Sequence, residues 1–243
     1  DGPQAVAGLG STRVTNEASY LFQRFMRTVV GSNSIDHLGR MPLGVQALGS
    51  LSEIEGHDTI FVLGTDPSTE APLVELWIKK AALRHGARVL IAHARRIELC
   101  RYGGPWLGYR PGSEASLLNG LARAILDAGL EDTATRVPNI DDLRAGLRPY
   151  SVEQVERETG VPGESLREAG RILGQAANSL ILYGSGWAWG SDANSAARSL
   201  LALENLGLLL GGVEPRFLAE DNNTLGAMDM GLAPDLYPGR QPF

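Results

Sequence analysis

The sequence is short of the residues that build metal centres and covalent scaffolds. Among 243 residues there is one cysteine, Cys100, and there are four histidines, His37, His57, His85 and His93. A single thiol excludes an intrachain disulfide. Neither it nor the dispersed histidines show metal-ligand spacing, so no iron–sulfur or zinc site is expected within the chain. Lysine is confined to Lys79 and Lys80, and the 22 basic residues, almost all arginine, form no run against 28 acidic ones. The resulting net charge of -6 argues against a nucleic-acid footprint. Long apolar runs are missing as well. The longest, around Leu200 to Leu210, is broken by Glu204 and Asn205, which argues against a transmembrane helix, and no signal peptide is visible.

What is present describes a globular protein: 43% hydrophobic, 21% charged and 6% aromatic residues, at a length suited to one large or two modest domains. Short apolar runs alternate with amphipathic segments, the signature of strand–helix units feeding a parallel sheet. A strand over Ala5–Leu9 ends at Gly10-Ser11. Thr15 or Asn16 then caps a helix with Tyr20, Leu21, Phe25 and Val29 at helical spacing. The run Thr59–Leu63 passes through Gly64-Thr65-Asp66-Pro67 into a helix over Pro72–His85, closed by Gly86 and followed by a strand over Ala87–Ala92. Ser113 is placed to cap a helix through Leu117, Leu121 and Ile125, and Ser151 with Gln154 spells a capping box. A strand over Ser179–Tyr183 breaks at Gly184-Ser185-Gly186 before a helix over Ala193–Leu209. Beyond Gly211-Gly212, four prolines suggest an extended tail. The strands near 59–64, 87–92 and 179–184 are expected as neighbours in one parallel sheet.

Three glycine-containing turns, at Gly10, Gly64 and Gly184, therefore fall at carboxyl ends of strands, where backbone N–H groups can receive phosphates. None spells GxGxxG or a Walker motif, and glycine serves a tight strand-to-helix turn equally well. No serine lies in a GxSxG elbow, Cys100 has no nucleophile signature, and the four histidines suit structural or surface roles. Asp141, Asp142, Glu153, Glu156 and Glu158 suit helix N-termini or solvent, while Trp187 and Trp189 suit either packing or a stacking surface.

Several strings taken together resemble the molybdopterin oxidoreductase family. They are Gly10-Ser11, Thr15-Asn16-Glu17 with Tyr20, Gln23-Arg24-Phe25, Gly31–Asp36, Val62–Pro67 through Pro72, Gly86–Val89, Arg110–Ser113, Leu209–Val213 and Asn222–Gly231. The likeness runs collinearly and is strongest to formate dehydrogenase alpha chains and to the large iron–sulfur subunit of bacterial NADH-quinone oxidoreductase. It implies an α/β fold of Rossmann-like αβα lobes with a parallel sheet. Residues 1–36 would be a partial first lobe, 37–213 an inserted lobe and 214–243 an extended return segment. Family members hold molybdopterin guanine dinucleotide between such lobes. The resemblance thereby implies Gly64, Thr65, Asp66, Pro67, His93, Arg95, Gly184, Ser185, Gly186, Asn222 and Asn223 as cofactor-binding or vestigial positions, with the turns converging on one concave surface.

Departures from the family pattern separate the relatives. In formate dehydrogenases a Cys or selenocysteine that ligates molybdenum, followed by His, stands after an Asp and an Arg. Here Asp36 and Arg40 align, but the ligand position falls on Pro42 and the His position on Leu43, so neither ligand atom nor mobile proton is supplied. The family's Asp-Pro-Arg becomes His93-Ala94-Arg95, losing a charge-assisted hydrogen bond of ~1.5–3 kcal/mol, and its Asn-Pro becomes Asp66-Pro67, adding an acid beside phosphates. The string Thr69-Glu70-Ala71-Pro72 also looks more like the NADH-quinone oxidoreductase relative. The resemblance thus implies a domain without metal, cofactor or catalytic residues of its own. Its role would be structural, in the peripheral electron-transfer arm that carries electrons from NADH to quinone. The parent subunit would hold iron–sulfur clusters elsewhere and contact other subunits of the arm, cytoplasmic and peripheral to the inner membrane, with no nucleic acid and no direct membrane insertion. The alternatives are the dinucleotide-binding domain of a formate dehydrogenase-type enzyme and a stand-alone nucleotide-binding module.

Overall fold

The computed structural model describes residues 2–39, 46–132, 139–184, 193–219 and 221–243. The chain forms two compact units, Asp1–Val45 with Ala219–Phe243, and Gln46–Leu218. The first unit begins with β1 (Gly8–Leu9), α1 (Asn16–Arg24), which continues as a π-helical turn over Phe25–Val30, and β2 (Ile35–Asp36). The second contains β3 (Gln46–Ala47), β4 (Thr59–Leu63), α2 (Pro67–Glu70), α3 (Pro72–His85), β5 (Arg88–Ala92), β6 (Trp106–Leu107) and α4 (Glu114–Asp127). It goes on through α5 (Ile140–Leu147), α6 (Val152–Thr159), α7 (Gly163–Gly174), β7 (Ser179–Gly184), α8 (Ala193–Leu209) and β8 (Arg216–Leu218). The chain re-enters the first unit as α9 (Thr224–Asp229), β9 (Leu236–Tyr237) and β10 (Gln241–Pro242).

The second unit is built on a six-stranded sheet in the order β3-β8-β7-β4-β5-β6, with every pair parallel. The expected neighbours are in place: Thr59 of β4 registers with Arg88 on one side and Ser179 on the other. β4 reads Thr-Ile-Phe-Val-Leu and is buried along its whole length, which a parallel strand requires when helices cover both faces. Ile60 and Val62 pack with Val89, Ile91, Leu180 and Leu182 against Ile78 of α3. Phe61 and Leu63 point to the opposite face by strand alternation and are equally buried. From β4 the chain builds outward through β5 and β6, then returns past α4–α7 to place β7 on the other flank of β4. The strand order therefore reverses between β4 and β7, the position where open α/β sheets leave a crevice at their carboxyl ends.

Several local expectations are revised by the structure. Leu21, Phe25 and Val29 are exposed, Leu21 at 60% and Val29 at 71%, while Ser19, Gln23 and Met26 face inward. On that inward face Gln23 accepts a hydrogen bond from the Arg27 guanidinium, as described below. Pro3–Ala5 is a 3-10 turn, so the first strand shrinks to Gly8–Leu9. The segment 214–243, expected to be extended, holds β8 within the sheet, the helix α9 and a short antiparallel hairpin. The two compact units divide at 45/46 and 218/219, where β3 enters and β8 leaves the six-stranded sheet. Ser113 donates to the Arg110 carbonyl and leaves the start of α4 to Glu114, which accepts the Gly112 N–H at 3.0 Å. Ser151 does cap α6 through the Gln154 N–H, but the Gln154 side chain turns forward to Glu158, so only half of the capping box forms.

In the first unit, Arg27 joins the helix to the return segment. Its Nε donates to Asn33 Oδ1 at 2.8 Å, Nη1 to Gln23 Oε1 at 2.9 Å, and Nη2 to the carbonyls of Ala233 and Leu236, both at 2.8 Å. The same guanidinium lies 5.4 Å from the Tyr237 ring centroid and 5.5 Å from that of Phe243. A lysine offers one nitrogen and cannot span four acceptors. Arg27→Lys is expected to destabilise this unit by about 1–3 kcal/mol, because partly buried acceptors lose their donor. Urea unfolding with hydrogen exchange at the amides of 233 and 235–237 measures it, and a change under about 0.5 kcal/mol, the range of an ordinary surface substitution, would refute the assignment.

Candidate functional site

The turn at the end of β4 is built from Gly64 to Glu70. Gly64 has φ 61, a left-handed conformation that suits glycine, and donates its N–H to the Ala92 carbonyl at 2.9 Å, which ties the turn to the end of β5. Thr65 follows, fully buried. Its hydroxyl donates to Glu70 Oε2 at 2.5 Å, and the Asp66 N–H donates to Glu70 Oε1 at 3.2 Å. Asp66 caps α2: its Oδ1 accepts from the Ser68 N–H at 3.3 Å and the Ser68 hydroxyl at 2.6 Å, with Pro67 in the first turn. Gly184 ends β7 against this turn. A Cβ there would lie 2.5 Å from Thr65 Cβ, so the close approach of the two strand ends excludes a side chain.

The turns after β5 and β6 are also fastened to the protein itself. The Arg95 N–H donates to His93 Nδ1 at 3.0 Å, and the His93 carbonyl accepts from Trp106 Nε1 at 3.0 Å. The Arg95 side chain is exposed, and Arg96 lies over the Trp106 ring at 5.9 Å. Arg110 donates to the carbonyls of Arg157 and Glu158 at 2.7 and 3.2 Å, clamping α6 to the sheet edge. Tyr109 is buried beside Glu114, and burial first, then that carboxylate, push its phenol above the ordinary range.

The remaining expected stretch, Asn222-Asn223, belongs to the first unit. With Arg13, Val14, Thr15, Asn16 and Glu17 it lines a cavity of about 360 Å³. Asn223 Nδ2 donates to the Val14 carbonyl at 2.6 Å and to Asn16 Oδ1 at 3.0 Å. Asp221 beside it accepts from the Thr12 hydroxyl and from Arg13 Nε at 2.6 Å. The Thr12 hydroxyl above all, then Arg13, hold its carboxyl below the usual 3.8.

Of the residues expected at the site, the structure brings Gly64, Thr65, Asp66, Pro67 and Gly184 together, with His93 and Arg95 after the strand adjacent to β4. Ser185, Gly186, Arg40, Pro42, Leu43, Trp187 and Trp189 lie outside the described residues. Sequence patterning does not single out Glu114 or Asp221, and Glu70 enters only through the resemblance of the string Thr69-Glu70-Ala71-Pro72. Glu70 stands four residues beyond its N-cap rather than three, one place off the capping-box spacing that would have flagged it. Among the described residues no three His, Cys, Asp or Glu side chains are grouped as metal ligands.

Two carboxylates thus point at the donors of the β4 turn. A phosphate oxygen within about 4 Å of either would meet repulsion of about 4 kcal/mol at an effective dielectric near 20. With the Thr65 hydroxyl and the Asp66 N–H already spent, this turn does not fit a pyrophosphate.

Comparison with known proteins agrees with this architecture. The family described as Molybdopterin oxidoreductase matches residues 1–237. NADPH-Fe(3+) oxidoreductase subunit alpha of Geobacter sulfurreducens is 35% identical, over 99% of this chain and 30% of that protein. Formate dehydrogenase H of Escherichia coli is 34% identical, over 99% of this chain and 36% of that protein. The chain therefore spans about a third of the length of these curated relatives. Acetylene hydratase from Pelobacter acetylenicus superposes with a TM-score of 0.65 at 18% identity, covering 86% of this chain and 30% of that one, and shares the fold.

Asp221 generates a pH prediction. Its folded pKa lies below its unfolded value, so the stability it contributes is present above about pH 4 and lost as pH falls through the folded pKa. Asp221→Asn should lower stability at pH 7, with the difference from the parent chain shrinking below pH 4. Thermal unfolding at pH 7 and pH 3 checks this, and a pH-independent difference would contradict it.

Proposed function

Since the chain belongs to the molybdopterin oxidoreductase family and is related to formate dehydrogenases, we propose that it is a domain of the type in the large iron–sulfur subunit of NADH-quinone oxidoreductase, which keeps the fold without the molybdenum chemistry. The observation that supports this most directly is the β4 turn, whose donors are bound to Glu70 and Asp66 rather than held ready for an anionic cofactor. The sequence adds a second support: Pro42 and Leu43 occupy the positions that resemble those of the metal ligand and the following histidine in formate dehydrogenases.

In this reading the domain is structural. It packs within a peripheral electron-transfer arm, cytoplasmic and beside the inner membrane, and contacts other subunits of that arm, while iron–sulfur clusters sit elsewhere in the parent subunit. Apolar side chains left outward suit such packing: Leu21, Phe25 and Val29 on α1 and its continuation, and Leu73, Leu76 and Leu83 on α3. No helix among the described residues is long and apolar enough to cross a membrane. The second reading, a dinucleotide-binding domain of a formate dehydrogenase-type enzyme, is favoured by the polar cavity at Asn222-Asn223, where Asn222 remains exposed.

Metal and pterin analysis of the parent protein purified from its native host decides between them. Molybdenum far below one atom per chain, with no fluorescent pterin after oxidative extraction, is expected. Stoichiometric molybdenum with extractable pterin would overturn the structural reading and establish the second.

A further inference from the structure

We infer that Glu70 is a built-in anion: its carboxylate occupies the turn after β4 in the place of a phosphate group and closes that turn to phosphate-bearing ligands. The inference rests on the structural reading above and assigns its cause to one side chain. The sequence departure at the turn points to Asp66, but Asp66 is engaged elsewhere, turned onto the Ser68 N–H and hydroxyl as the cap of α2. The carboxylate that spans the Thr65 hydroxyl and the Asp66 N–H with its two oxygens is that of Glu70.

Local backbone geometry makes this possible. α2 lasts four residues, because Ala71 leaves the helical region at φ -147 and ψ 69 before Pro72 starts α3. Glu70 lies one helical turn past Asp66, with its N–H bonded to the Asp66 carbonyl at 3.0 Å, and a helical side chain leans toward the N-terminus, so the carboxylate reaches back over the turn. Gly184 at the end of β7 approaches from the other side, and a Cβ there would lie 3.4 Å from Glu70 Oε2. Thr65 is fully buried, so its hydroxyl depends on this carboxylate as an acceptor. A phosphate entering the turn would have to expel Glu70 and take over both hydrogen bonds while Asp66 stays within the same turn.

The test is titration of the full chain with inorganic pyrophosphate by calorimetry, comparing the parent with Glu70→Gln, Glu70→Ala and Asp66→Asn. The parent should bind more weakly than about 1 mM, and both Glu70 variants about tenfold tighter or more. Asp66→Asn, which keeps a competent cap, should gain less than either. Micromolar binding by the parent, folded Glu70 variants that gain nothing, or a larger gain from Asp66→Asn would each overturn the assignment. Should circular dichroism show that the Glu70 variants do not fold, hydrogen exchange at the Asp66 amide of the parent decides. Protection unchanged by pyrophosphate at about 1 mM supports a closed turn, and altered protection refutes it. The two readings fail separately. A molybdenum-free parent whose Glu70 variants gain nothing refutes the built-in anion alone. A molybdenum-containing parent that still excludes pyrophosphate from this turn refutes the structural reading alone.

Discussion

The buried central strand Thr59–Leu63 bonds to β5 on one edge and β7 on the other, and its side chains are covered on both faces. The backbone groups of a strand in that position must be paired on both edges, and its neighbours match its register over all five residues and its hydrophobicity from Ile60 onward. β5 and β7 do so, with Val89, Ile91, Leu180 and Leu182 in the same layer as Ile60 and Val62. The connections then have only the sheet edges and faces to use. The strand order reverses between β4 and β7, and their parallel pairing brings the two strand-end turns together at Thr65 and Gly184.

The acidic excess of the chain acquires a structural meaning at its turns. Glu70 accepts from the Asp66 N–H, Asp66 from Ser68, Glu53 from Ser50, Glu114 from Gly112, Glu156 from Gly163, and Asp58 from both Ala177 and Asn178. In each case a carboxylate supplies the partner that a backbone donor lacks where regular structure begins or ends. Such bonds to ionised acceptors are stronger than neutral ones, at about 1.5–3 kcal/mol. A nucleotide-binding α/β domain keeps some of those donors for its ligand. Here the donors of the β4 turn are directed onto Glu70 and Asp66.

The first unit depends on a different device. Among the described residues it has two short strand pairs, so a single guanidinium links its helix to a return segment 206 positions further along the chain, with Asp221 fastening the other end to Thr12 and Arg13. The inward placement of Gln23 goes with Arg27, its partner one turn away on the same side of the helix. Helical spacing alone marks Leu21, Phe25 and Val29 as a core stripe, and spacing cannot report which side of an amphipathic helix its own unit covers.

The amino-acid sequence by itself determined the parallel α/β class, neighbouring strands near 59–64, 87–92 and 179–184, helices over about 72–85 and 193–209, and the family. These rest on local signals: continuous apolar runs, caps, breakers and collinear strings, each readable within a short window. Only the tertiary structure decided which carboxylate closes the β4 turn, which face of α1 turns inward and where the units divide. Those outcomes depend on groups brought within hydrogen-bond distance by chain reversals. Glu70 meets the Asp66 N–H because its side chain leans back one helical turn onto the cap, and Arg27 meets Leu236 because the chain returns after the whole second unit. Sequence spacing carries no record of such distances, since hydrogen bonding selects for geometry in space and is indifferent to separation along the chain.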